Sequence, residues 1–247
     1  MKMMKSLSVI LLLVVATVTL SCDEDEYYEY GDSRFDMVTY LGYDESVGAS
    51  VFKYLPPEDI PSTILHDAGT KFEWLSIGDR VLLNYEPVAT LADGSVGITT
   101  TVVVQAITDS LRYVDGRLVE TVPMDSIKLN SIWRTGDYIN IYSRVKFTNK
   151  SRMFYLVMDE STWHEDTVHC YLAHNMMGQT AYFWRRCYGS FCIKAVWNLP
   201  SCKVVRVHLN DLNYPEKKYY DFNNYDKRRW KSLPQAGNSR SLMIQMR

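Results

Sequence analysis

Tyr138-Ile139-Asn140-Ile141-Tyr142-Ser143-Arg144-Val145-Lys146-Phe147 alternates along its whole length. In an extended chain Ile139, Ile141, Val145 and Phe147 share one face, and Tyr138, Asn140, Tyr142, Arg144 and Lys146 share the other. That is the pattern of a strand with one side in a core and one in water. Residues 204–209 repeat it, with Val205, Val207 and Leu209 opposite Arg206 and His208. At the C-terminus Leu242, Ile244 and Met246 alternate with Met243, Gln245 and Arg247. Residues 99–107 and 153–158 are β-branched or apolar at nearly every position, as strands buried on both faces are. Gly78-Asp79, Asp93-Gly94, Asp115-Gly116, Gly136-Asp137 and Asn198-Leu199-Pro200 fall between these runs as turn signals. No stretch beyond residue 22 keeps apolar residues at helical spacing for three turns.

Many short strands separated by turns predict an all-β chain of barrels or sandwiches. A length of 247 residues leaves room for two such units after the leader. The boundary is expected between Val122 and Trp133, where Pro123, Asp125 and Asn130 interrupt the pattern. This gives units at 35–125 and 126–247. A hydrophobic fraction of 47% and a charged fraction of 23% exclude a disordered or fibrous chain. A formal charge of −2 argues against a general nucleic-acid binder.

Residues 1–21 read as a lipoprotein signal peptide. Lys2 and Lys5 precede an uncharged stretch with the apolar run Val9-Ile10-Leu11-Leu12-Leu13-Val14-Val15, and Thr19-Leu20-Ser21 leads to Cys22. Cys22 is the expected lipidation site. The cluster Asp23-Glu24-Asp25-Glu26 then opens an acidic tether over residues 22–34, and it resembles the export signal of surface lipoproteins of one group of Gram-negative gut bacteria. An outer-membrane lipoprotein exposed at the cell surface is the expected address.

The order of four further segments carries a family resemblance. They are Met37-Val38-Thr39-Tyr40-Leu41-Gly42; Gly78-Asp79-Arg80-Val81-Leu82-Leu83-Asn84-Tyr85; Trp133-Arg134-Thr135-Gly136-Asp137-Tyr138-Ile139-Asn140-Ile141; and Leu172-Ala173-His174-Asn175 with Gly178 after it. Together with the lipoprotein start, they resemble the NigD-like lipoproteins from about Phe35 to the end of the chain. The resemblance implies an N-terminal OB-type barrel and a C-terminal β-sandwich, and no catalytic residues.

Cys170, Cys187, Cys192 and Cys202 remain after lipidation. Gly189-Ser190 has the composition of a two-residue hairpin loop. In that register Cys187 faces Cys192, Trp184 faces Ala195, and Cys170 is left for Cys202. Four reduced thiols are the alternative. His164 and His169 are five apart, so they miss the zinc-protease spacing of two His four apart on one helix face. Cys170 and His174 share strand parity, which is better read as a polar strand end than as a metal site. No nucleophile elbow or phosphate loop is present, and no metal or cofactor is expected. Lys227-Arg228-Arg229-Trp230-Lys231 is the one basic cluster, and with Trp184 and Trp197 it supplies the weak binding candidates Arg228, Arg229 and Trp230.

These features predict a non-catalytic binding protein, anchored to the outer membrane, that holds an envelope protein or glycan and no nucleic acid. A carbohydrate-binding accessory lipoprotein would show a row of exposed Trp or Tyr. A surface hydrolase would bring Asp159 or Glu165 to His174.

Overall fold

The computed structural model describes residues 32–57, 61–147, 153–178 and 183–224. The leader with Cys22, the acidic cluster, the basic cluster with Arg228, Arg229 and Trp230, and the 242–247 alternation lie outside the described residues.

β1 (Arg34–Asp44), β2 (Ala49–Tyr54), β3 (Thr63–Ala68), β4 (Arg80–Thr90) and β5 (Val96–Gln105) close into a barrel in the order β1-β2-β3-β5-β4. The inward side chains are those that alternation selects: Val38 and Tyr40, Val81, Leu83 and Tyr85, with Phe52, Leu65 and Ile98 filling the middle. β5 departs from the expectation for residues 99–107. It is exposed along much of its length, Val102 at 47%. Its Val and Thr content reflects β-propensity, which favours a pleated surface whether or not both faces are covered.

β6 (Ile107–Ser110), β7 (Arg112–Val114), β8 (Lys128–Thr135), β9 (Tyr138–Phe147), β10 (Met153–Asp159), β11 (Thr167–Asn175), β12 (Phe183–Cys192), β13 (Val204–His208) and β14 (Tyr219–Asn223) build the sandwich. One sheet runs β14-β13-β11-β10-β7 and the other β6-β12-β9-β8. Ile139, Ile141, Leu156, Met158, Val168, Leu172, Phe191, Val205 and Val207 interdigitate between them. The chain is therefore nearly all β, a barrel followed by a sandwich.

Strand pairing moves the boundary between the two from residue 125 back to Ala106. β6 pairs with β12 and β7 with β10, so both belong to the sandwich. Buried Leu111 sits between them, where the chain passes from one sheet to the other. The break at Pro123 and Asp125 is the crossover to β8. There the His174 N–H donates to the Pro123 carbonyl, and the Asp125 N–H donates to the His174 carbonyl.

β12 corrects the hairpin expectation. It runs unbroken through Gly189-Ser190 and pairs with β9 along its whole length. Gly189 is there for space: a Cβ would stand 2.8 Å from the Phe191 ring and 3.0 Å from that of Phe154. Cys187 and Cys192 are thus five residues apart on one straight strand, about 16 Å at strand rise, far beyond disulfide reach. Odd spacing also puts them on opposite faces. All four described cysteines are thiols. Cys170 and Cys202 both lie in the sandwich core, and burial pushes the Cys170 thiol up. Overpacking predicts that Gly189→Ala costs about 1–3 kcal/mol. Urea unfolding of the variant checks this, and an unchanged midpoint would mean that Phe191 moves aside freely.

The barrel and the sandwich meet at Arg80. This β4 side chain is fully buried. Its Nε donates to Ser190 Oγ at 3.0 Å, Nη1 to Thr39 Oγ1 at 3.0 Å, and Nη2 to Thr135 Oγ1 and Asn140 Oδ1, each at 3.2 Å. The guanidinium also lies 4.4 Å from the Tyr138 ring centroid. Ser190 donates to Asn140 Oδ1 at 2.7 Å, and Asn140 Nδ2 donates to Thr135 at 2.8 Å. The acceptors are three hydroxyls and an amide, so the charge is solvated by dipoles and not neutralised by a carboxylate. Burial lowers the Arg80 guanidinium to about 10, well below its ordinary value.

Candidate interaction surface

The residues of β7, β10, β11, β13 and β14 that point away from the core form the outer face of the five-strand sheet. Pairing sets Arg112 beside Val157, Val157 beside Tyr171, Tyr171 beside His208 and His208 beside Tyr219. This row crosses all five strands. A second row sets Val114 beside Asp159, His169 beside Arg206 and Arg206 beside Asp221. The β11–β13 neighbours are parallel and not consecutive in the chain, which is how residues 171, 208 and 219 come together.

The side chains lean on one another. Tyr171 and His208 stack at 4.5 Å with planes 11° apart. Tyr219 lies 5.8 Å from His208. The Arg206 guanidinium covers the Tyr219 ring at 3.9 Å and makes two bonds to Asp221, at 2.7 and 2.8 Å. Arg112 covers Tyr155 in the same way at 3.9 Å and is bonded to Asp109 at 3.0 and 2.8 Å. Each of these rings already has a face occupied.

His208 Nε2 lies 3.1 Å from His169 Nδ1, so one imidazole donates to the other's lone pair. Burial pushes His208 down to about 4, helped by the His169 and Arg206 charges. Burial, then Arg206, also lowers His169. Both rings are neutral near pH 7. Protonating both would set N–H against N–H. The acids nearby are engaged elsewhere: the Arg206 hydrogen bond holds Asp221 below the ordinary carboxylate range, and Asp159 Oδ1 accepts from the Ser161 N–H at 2.9 Å and hydroxyl at 2.7 Å.

A pH dependence follows. The unfolded chain takes up protons at ordinary histidine values, while the folded chain resists until about 4 at His208. Stability from this pair is complete above about pH 6.5 and is lost as pH falls toward 4. Half-buried Asp36 and buried Asp67, whose carboxyls burial raises, act with the opposite sign. The check is therefore a difference: His208→Asn should flatten the fall in unfolding midpoint between pH 6.5 and 4 relative to the parent chain. Parallel curves would contradict the pairing.

Residues 113–224, which hold both rows apart from Arg112, match the family profile described as the NigD-like C-terminal beta sandwich domain. The C-terminal part of the chain is similar to the NigD-like sandwich domain. Three solved structures share the fold across most of the chain. A Bacteroides vulgatus protein of unknown function, DUF1344, has 15% identity and a TM-score of 0.62 over 77% of this chain and 89% of its own. A NigD-like immunity protein from Bacteroides caccae has 18% identity and a TM-score of 0.54 over 79% and 99%. A candidate lipoprotein from Bacteroides fragilis has 11% identity and a TM-score of 0.54 over 78% and 98%. A search of curated proteins finds no match.

The NigD-like sandwich places the sequence-predicted residues unevenly. Trp184 is half-buried on the outer face of the four-strand sheet, with Lys128 Nζ 4.5 Å and Lys146 Nζ 5.9 Å from its ring. Trp197 is no surface platform. It lies in a helical turn (Lys194–Trp197), 2% exposed, with Arg134 over its ring. That turn also removes the expected pairing of Trp184 with Ala195. His174 is buried on the core side against Phe154, its Nδ1 2.9 Å from the Asp125 carbonyl. It faces away from Asp159, which lies near His169 on the outer side. Among the described residues no group of three or more His, Cys, Asp or Glu side chains is arranged to hold a metal ion. In the sequence Arg206 and His208 mark only the polar side of a strand. The shared parity of residues 169, 171, 206, 208, 219 and 221 was the available signal.

Proposed function

We propose that this NigD-like chain is a non-catalytic, envelope-anchored lipoprotein that holds a protein partner on the outer face of its five-strand sheet. The observation that carries the reading is the Tyr171–His208–Tyr219 row. A sugar needs an open ring face on which to lay its C–H surface, and these rings each give a face to one another or to Arg206. What remains is a rigid patch of Tyr, His and Arg. That composition is enriched where proteins bind proteins. The stacked rings and the paired Arg206–Asp221 are already ordered, which lowers the entropic cost of association.

The anchor is Cys22, and the acidic run after it is the surface tether. The candidate-lipoprotein and immunity-protein descriptions of two structural neighbours are in line with an envelope interaction protein. The histidines bind here and do not turn over substrate, because their nearest acids are committed to Arg206 and to a turn.

Two experiments test this. Labelled palmitate should enter the parent chain in cells and not a Cys22→Ala variant. Tagged protein crosslinked and captured from intact cells should bring down one protein in stoichiometric amount. Capture of glycan without protein would replace the reading with the carbohydrate-binding one.

A further inference from the structure

We propose a second site, on the uncovered half of the four-strand sheet's outer face, for an anionic polysaccharide. It is independent of the protein-binding reading above and lies on the other sheet.

The barrel covers one end of this face, where Asn140 and Ser190 meet Arg80. Among the described residues no element covers the other end. Pairing there sets Lys128 beside Arg144 and Arg144 beside Arg186, one cation on each of three neighbouring strands. Lys146 stands in the next row beside Trp184. Arg144, Lys146 and Arg186 are exposed. Like charges directly opposite each other destabilise a sheet. Among the described residues none of these four cations is in an ion pair with a carboxylate. An uncompensated row of this kind is explained by an anion that completes it.

The row is built, not loose. Trp184 gathers Lys128 and Lys146 onto its ring. Tyr142 and Tyr188 stack at 4.8 Å in the adjoining row. The three strands span roughly 10 Å. A groove at the edge of β12 adjoins the row, and its lining includes Gln105, Ile107, Trp184, Arg186 and Tyr188. A row plus a groove fits a linear, repeatedly charged chain. Single-stranded nucleic acid has that form too, but it gains affinity by stacking bases on aromatic faces, and here the Trp184 ring is taken by lysine. A carboxylated or sulfated polysaccharide needs only the row of cations.

The test uses the folded chain with polygalacturonate and heparin as polyanions, dextran as a neutral polymer and oligothymidylate as a nucleic acid. At low salt the chain should bind at least one acidic polysaccharide, lose it as salt rises, and ignore dextran. Arg144→Gln with Arg186→Gln should weaken that binding about tenfold or more, while Tyr171→Ala leaves it unchanged. The double variant should unfold at the same or higher temperature, because it relieves like-charge pairs, so lost binding cannot be put down to lost fold. Unchanged polysaccharide affinity in the double variant, no binding at low salt, or tighter binding of oligothymidylate through the same two arginines would each overturn the proposal.

Discussion

Arg80→Ala should lower the unfolding free energy by about 3–5 kcal/mol. Truncating a large buried side chain to Ala costs about 2–5 kcal/mol through lost contacts and the cavity left behind. Here the loss also strands Thr39, Thr135, Asn140 and Ser190, which receive its four hydrogen bonds. Each buried polar group left without its partner costs about 1–3 kcal/mol. Two effects offset this. Ser190, Asn140 and Thr135 keep the bonds they make among themselves, and a buried charge with no opposite charge is itself expensive. Arg80→Lys should recover less than half of the loss. An ammonium donates from one point and cannot reach four acceptors drawn from β1, β8, β9 and β12. Urea unfolding of parent, Arg80→Ala and Arg80→Lys measures both claims. A loss under about 1 kcal/mol for Arg80→Ala would mean that the junction hydrates easily and that barrel and sandwich hold together by other contacts.

Tyr171→Ala and Tyr219→Ala should each weaken partner capture by about thirtyfold, the roughly 2 kcal/mol that defines a binding hot spot. Tyr171 is the inner support, because its ring carries His208. Tyr219 is the exposed member, at 42%, and it carries Arg206. The two belong to one stack, so the double variant should lose less than the sum of the singles. Tyr171→Phe separates the contributions: it keeps the stack and removes only the hydroxyl, and it should retain most of the affinity if ring packing holds the patch together. Affinity measured with the captured partner, beside unfolding curves for each variant, separates binding from folding.

The strands were legible from alternation because one face of each lies against a core. Ile139, Ile141 and Val145, and likewise Val205, Val207 and Leu209, are inward where parity put them. The surface they compose was not legible. Parity states that residues 171, 208 and 219 face one way. It does not state that β11 lies beside β13, or that β14 completes the edge, because those neighbours are set by core packing across long loops. Register is obscured further by bulges such as the one between Leu129 and Ser131, which shifts the alignment that places Lys128 beside Arg144. Gly189 misled for a related reason. A glycine that makes room for Phe191 and Phe154 is spelled the same as one that makes a turn. The domain boundary was misplaced because β6 and β7 are only four and three residues long, too short for a period to register. The burial of Arg80 was not legible, since Arg is rarely fully buried.

The most direct measurement is site-specific photocrosslinking in intact cells, with a photoreactive phenylalanine analogue placed at Tyr219, at Tyr188 on the other sheet, and at Phe35 on the barrel. A single protein adduct from position 219, absent from 188 and 35, is the result that an outer-face interaction protein requires. Adducts from 188 or 35 with none from 219, or glycan as the only species at 219, would contradict it.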